Sequence, residues 1–174
     1  MIPKFRAWDE SNKTMRFNDE IVLWSGQVYI NEKKELDSKI KGFSCLPEHL
    51  MQSTGLKGYM SDDHDDREEK DVFKGDIIDI FWEEWPMGYY QENHMIGVVD
   101  LDETGTAWII KNAKYDFDTP KPIPGEIDGI SVSMSLPDAE DLEEIFLHNF
   151  NLTSDDVTIL SNIYENPELL EVPK

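Results

Sequence analysis

Cysteine is nearly absent from this chain of 174 residues. Cys45 stands alone, so no disulfide can form within the chain, and a cytoplasmic setting is expected. Long apolar runs are missing too: nothing approaches the roughly 20 residues that a helical bilayer crossing takes. The opening residues, MIPKFRAWDE, lack the apolar stretch of a signal peptide. There is no G-x-x-x-x-G-K-[ST], no G-x-G-x-x-G and no C-x-x-C, which excludes the common phosphate-cradling loops and paired-cysteine sites. No internal repeat stands out.

Positive charge is also scarce. The chain has 16 Lys and Arg against 37 Asp and Glu, a formal net charge of −21. Residues 1–74 hold 12 basic against 15 acidic residues, a balance of −3, whereas residues 75–174 hold 4 against 22, a balance of −18. Phosphate backbones are bound through Lys and Arg, so direct nucleic-acid binding by the second part is not expected, nor is an anionic membrane surface. Three readings of the acidity remain. It can serve solubility, attract a basic partner, or mimic DNA charge and occupy a DNA-binding protein.

A hydrophobic content of 39% with 11% aromatics is enough to bury a core in one domain or two small ones. The clearest pattern is Val72–Trp82, VFKGDIIDIFW. Gly75 and Asp76 make a turn, and Ile77, Ile78, Ile80 and Phe81 give the β-branched and aromatic density of a strand. A polar-aromatic loop, Gly88–Met95, leads to a second strand over Ile96–Asp102, and the turn Glu103–Gly105 to a third over Thr106–Lys111. Earlier in the chain, Ile2–Trp8 and Thr14–Phe17 flank the turn cluster Asp9–Lys13. Glu20–Trp24 and Gln27–Ile30 flank Ser25-Gly26, a second hairpin signal. Phe43–Leu46 and Glu48–Ser53 read as short strands or turns. Ile127–Met134, with a turn at Asp128-Gly129, and Val157–Tyr164 read as later strands. One helix is predicted, Leu136–Phe150. Ser135 serves as its N-cap, Pro137 lies in its first turn, acidic residues crowd its N-terminal half, and Ala139, Leu142, Ile145, Phe146 and Phe150 form an apolar stripe.

Candidates for chemistry are few. Ser61–Asp71, SDDHDDREEKD, contains seven acidic residues. Counted from Asp62 as an EF-hand loop it places Arg67 where Gly is required and Phe73 where Glu is required, so the calcium pattern fails. His64 has no second His or Cys nearby to complete a zinc site, and a solvated loop is expected. Cys45 and His49 are a nominal nucleophile and base, but nothing around them would lower the thiol pKa. His94 and His148 have no constrained partner. The aromatic cluster Trp82, Trp85, Tyr89 and Tyr90 is the candidate partner-binding surface, since such residues are enriched at interface hot spots.

Five segments in order, IPKFRAWD (Ile2–Asp9), MQSTGLKG (Met51–Gly58), VFKGDII (Val72–Ile78), GVVDLD (Gly97–Asp102) and ILSNIYENPELL (Ile159–Leu170), resemble the YopX family of phage and prophage proteins. The resemblance implies a mostly β protein of SH3-like barrel character, encoded by a phage or prophage of a Gram-positive bacterium. It supplies no catalytic residues. Family members carry a short turn between TGLK and GDI, and here Ser61–Asp71 lengthens it.

The expected architecture is therefore α+β and mostly β. An N-terminal hairpin region (residues 1–50) packs with or beside an SH3-like barrel region (residues 51–174) that includes the helix 136–150. The expected role is a non-enzymatic accessory protein that works through contacts with an unidentified protein or with further copies of itself, with no cofactor, catalytic site or metal site. The alternatives are an acidic decoy of a host nucleic-acid-binding protein and a metal-dependent enzyme using the Asp62–Asp66 cluster.

Overall fold

A computed structural model of the chain describes residues 3–31, 42–61, 68–84, 90–115, 125–127, 130–132 and 145–170. The local signals near the N-terminus form as read. Strands β1 (Phe5–Asp9) and β2 (Thr14–Phe17) make a hairpin. Its turn is held by Asp9, whose Oδ1 accepts hydrogen bonds from the backbone N–H groups of Ser11 and Asn12, both at 3.1 Å. Oδ2 of the same carboxylate takes Arg16 through Nε and Nη2, at 3.2 and 3.0 Å. Burial acts to raise the pKa of Asp9, but the bonds from Asn12 and Arg16 outweigh it and hold the group below its ordinary value. Strands β3 (Ile21–Trp24) and β4 (Gln27–Asn31) turn at Ser25 and Gly26, whose φ values of 53° and 77° are the positive pair that a two-residue type I′ turn requires. Strand β5 (Gly42–Cys45) completes a separate three-stranded sheet in the order β3-β4-β5.

Strands β1 and β2 join seven later strands in a nine-stranded sheet. Strand β6 (Leu50–Met60) is its spine, pairing with β1 at Leu50–Gln52 and with β7 (Lys70–Phe73) further along. At Tyr59 and Met60 it runs parallel to β14 (Val157–Asn162). Strand β8 (Asp76–Glu84) lies between β14 and β9 (Gln91–Leu101), and β10 (Trp108–Tyr115) follows β9. Strands β11 (Gly125–Ile127) and β12 (Ile130–Val132) pair only with each other among the described residues. The short strand β13 (Ile145–Phe146) joins the outer edge of β10. The sheet order is β13-β10-β9-β8-β14-β6-β1-β2, with β7 branching from β6.

Two expectations are corrected. No pairing among the described residues joins β13 to β2, so a closed barrel is not present there. The predicted helix 136–150 is not helical where it is described. Ile145 and Phe146 are extended and pair with β10, and Leu147–Asn149 make a single 3-10 turn. The apolar stripe that suggested helix also serves an edge strand, and backbone pairing with Ile109 and Ile110 decides between the two. Residues 136–144 lie outside the described residues. The main core lies on β8, β9, β10 and β14, with Ile78, Ile80, Met95, Val99, Ile110 and Val157 buried. A second cluster of Trp8, Met51 and Phe73 ties the N-terminal hairpin to β6 and β7.

The Gly75-Asp76 turn joins these parts. Gly75 sits at φ 81°, its N–H donates to the Val99 carbonyl at 2.7 Å, and its carbonyl accepts from Ile163 N–H at 3.0 Å. Asp76 is buried, accepts from the Phe73 N–H at 2.8 Å and forms an ion pair with Arg6, whose guanidinium lies 4.8 Å from the centre of the Phe73 ring. This one turn thereby links β1, β7, β8, β9 and the end of β14.

Candidate functional site

The three-stranded sheet has two unlike faces. Directly paired residues in antiparallel strands share a face. Leu23, Val28 and Cys45 therefore lie on one side together with Ile21 and Ile30. That side turns inward along β4, where Val28 and Ile30 are buried, and at β5, where Cys45 Sγ donates to the Trp8 carbonyl of β1 at 3.5 Å, whereas Leu23 at the sheet edge stays exposed. The other side carries Val22, Trp24, Gln27, Tyr29 and Ser44. Trp24 is 68% exposed there, and the Tyr29 hydroxyl donates to Gln27 Oε1 at 2.6 Å. Ile21–Asn31 and Gly42–Cys45 contain no Asp, Glu, Lys, Arg or His, in a chain whose charged residues make up 30%. The result is an uncharged, aromatic sheet face with a polar fringe, the composition typical of protein-binding surfaces. Sequence reasoning placed these strands but passed over them as a site. The signal that marks them is the lack of charge across residues 21–31.

The predicted aromatic cluster is divided. Trp82, near the end of β8, is half-buried and meets Phe150 edge-on at 5.7 Å beside the main core. Tyr90 is 51% exposed. Its hydroxyl lies 2.8 Å from Glu83 Oε1 and 2.6 Å from Glu92 Oε1, two carboxylates that face each other directly across β8 and β9. One hydroxyl proton serves one acceptor at a time, and the bonds to Glu92 and Glu83 raise the Tyr90 pKa above its ordinary value. Trp85 and Tyr89 lie outside the described residues.

The other candidates are engaged locally. Burial pushes the Cys45 thiol pKa up, with Asp9 and Glu48 adding to the effect, which favours the thiol over the nucleophilic thiolate. His49 packs edge-on against Tyr164 at 5.3 Å, and Tyr164 stacks on Trp8 at 5.8 Å. His94 Nδ1 lies 3.0 Å from Asp79 Oδ2, and its ring lies 5.1 Å from that of Phe81. His148 tilts against Phe146 at 5.2 Å. It also lines an open groove of about 440 Å³ with Leu56, Trp108, Leu147, Phe150 and Leu152. That groove has one ionisable lining residue, too few convergent polar groups to assign a reaction. The Asp62–Asp66 cluster lies outside the described residues. Among the described residues, no group of three or more His, Cys, Asp and Glu is placed to hold a metal ion, and no helix is long and apolar enough to cross a membrane.

Comparison with known proteins gives one result. No curated protein and no solved structure matches the chain. The family model described as YopX protein matches residues 4–125, a span that includes the uncharged sheet, the Gly75-Asp76 turn and the β8–β9 hairpin. With most of its length under that match, the chain belongs to the YopX family.

Proposed function

We propose that this protein acts by binding another protein surface rather than by catalysis, and that the uncharged sheet β3-β4-β5 is where it binds. The observation that carries this reading is the 68% exposure of Trp24 on a sheet with no charged side chain, in a chain of net charge −21. Solvent exposure of a Trp forgoes the burial of a large apolar side chain, and a partner that covers it recovers that burial. With its family membership, this suits an accessory protein of a phage or prophage working in the bacterial cytoplasm.

The test is association of the tagged protein, with itself or with host proteins, at low and high salt. A contact made through this face persists at high salt, because exposed charge pairs are screened and apolar burial is not. Trp24→Ala should weaken it by about 2 kcal/mol, roughly 30-fold, as expected for a hot-spot residue. Tyr90→Ala should leave it unchanged. A complex that dissolves at high salt and ignores Trp24→Ala would instead favour a partner held by the carboxylates.

A further inference from the structure

Resting on that reading, we infer that the surface covering β3 is a second copy of this chain, paired edge to edge and antiparallel about a twofold axis centred on Leu23. Three observations converge on this arrangement. The first concerns backbone. β3 is the terminal strand of its sheet, with no second strand partner among the described residues. Its sequence, Ile-Val-Leu-Trp, carries none of the Lys, Pro or inward charge by which natural edge strands discourage pairing.

The second observation is charge. In a twofold interface the same patch meets itself, so a residue on the axis meets its own copy and every off-axis contact occurs twice. A chain of net charge −21 repels its own copy, and strands β3, β4 and β5 carry no charged residue, so pairing along β3 sets no carboxylate of these strands against another. A basic partner would have no reason to choose this sheet, because it offers no carboxylate.

The third is register. A twofold axis perpendicular to the sheet keeps the two outer faces on the same side, so outer-face residues must pair with outer-face residues. Centring the axis on Leu23 meets this condition. Leu23 then faces Leu23 of the second copy, and Val22 faces Trp24 of the second copy. The two exposed large apolar residues of β3, Leu23 at 51% and Trp24 at 68%, are the two that this register covers. The product is a continuous six-stranded sheet, with Tyr29 one strand in on the same face as Trp24.

The experiment is the solution mass of the full chain across a concentration series, by sedimentation equilibrium or light scattering. The wild type should reach twice the 20.2 kDa of one chain. Its association should tighten as salt rises, because salt screens the repulsion between two acidic chains. Leu23 is half exposed, so Leu23→Glu and Leu23→Lys should fold normally, as matched circular dichroism and thermal melts would confirm. Each alone places like charges face to face at the axis and should weaken self-association at least tenfold. An equal mixture of the two variants should recover the double mass, since Glu then faces Lys. A wild type that stays at 20.2 kDa throughout, a Leu23→Glu protein that associates as well as wild type, or a mixture that fails to pair would each overturn the proposal. A monomeric wild type that still holds another protein through Trp24 overturns the second copy and leaves the binding reading standing. No association of either kind removes both.

Discussion

At the scale of single residues, the most consequential contact is the Arg6–Asp76 ion pair. Both side chains are buried, Asp76 almost completely, and Arg6 Nε has no hydrogen-bond acceptor among the described residues. Burial raises the pKa of Asp76, and the charge and hydrogen bond of Arg6 with the Phe73 N–H offset only part of that rise. Removing Arg6 leaves a buried carboxylate without a counter-charge. Arg6→Met should therefore destabilise the fold by about 3 kcal/mol near neutral pH, the cost typical of breaking such a pair. The sign of the pH dependence follows from the raised pKa of Asp76. A carboxyl with a folded value above its ordinary 3.8 contributes stability that is present at pH below 3.8 and lost as pH rises through the folded value. The Arg6→Met deficit should thus shrink on acidification, as Asp76 takes up a proton and no longer needs a cation. Urea melts of both proteins across a pH series measure this. A deficit that is constant with pH would mean that Arg6 acts through packing on Phe73 alone.

At the scale of elements, what sequence reveals depends on how local the cause is. The turns at Asp9–Lys13, Ser25-Gly26 and Gly75-Asp76 are legible because the residues that make the turn also supply its φ angles or its hydrogen bonds. Strand β6 is barely legible beyond its start. Leu50–Met60 lacks clean alternation and contains Gly55 and Gly58, and its three partners β1, β7 and β14 come from distant sequence. Ile145 and Phe146 fit a helical stripe until β10 offers them a pairing edge. The candidate site is hidden for the same reason. Aromatic density points to Trp82, but contact with Phe150 sets its burial, whereas Trp24 is exposed because the sheet buries its other face, through Val28 and Ile30. A steric test at this scale concerns β9 and β10. Asn112 sits at φ 53° in the bulge between Lys111 and Lys114, and that bulge presses on Gly97. A Cβ at Gly97 would lie 2.3 Å from Ile110 Cγ2 and 3.0 Å from the Lys111 carbonyl oxygen. Gly97→Ala should therefore cost about 1–3 kcal/mol through overpacking, read as a lowered denaturation midpoint. An unchanged midpoint would show that the bulge moves aside freely.

At the scale of the whole molecule, the distribution of charge matters more than its sum. Residues 75–174 carry a balance of −18, and they supply strands β8 to β14, which hold most of the main core. Lysines answer some of these carboxylates: Asp100 is held by Lys74 at 3.3 Å and Lys111 at 2.8 Å. Elsewhere like charges are set directly opposite, as at Glu83 and Glu92, an arrangement that costs stability in a sheet. Self-repulsion of this size opposes compaction, and salt weakens it over a Debye length of about 10 Å at 0.1 M. The thermal midpoint should accordingly rise as sodium chloride is added from low to moderate concentration, and most of the gain should come below about 0.2 M, where screening length changes fastest. Exposed ion pairs such as Lys57–Glu69 and Lys70–Glu68 pull the other way, since salt weakens them too. Each contributes about 0–1 kcal/mol, so net repulsion prevails and the sign of the slope is positive. Oligomerisation also raises the midpoint, and it does so with protein concentration, which repulsion within one chain does not. Melting the wild type and the Leu23→Glu variant side by side, at two protein concentrations and across the salt series, separates the terms. The variant should keep the salt-dependent rise and lose the concentration-dependent one. A midpoint that falls with salt in both proteins would mean that their ion pairs outweigh their repulsion.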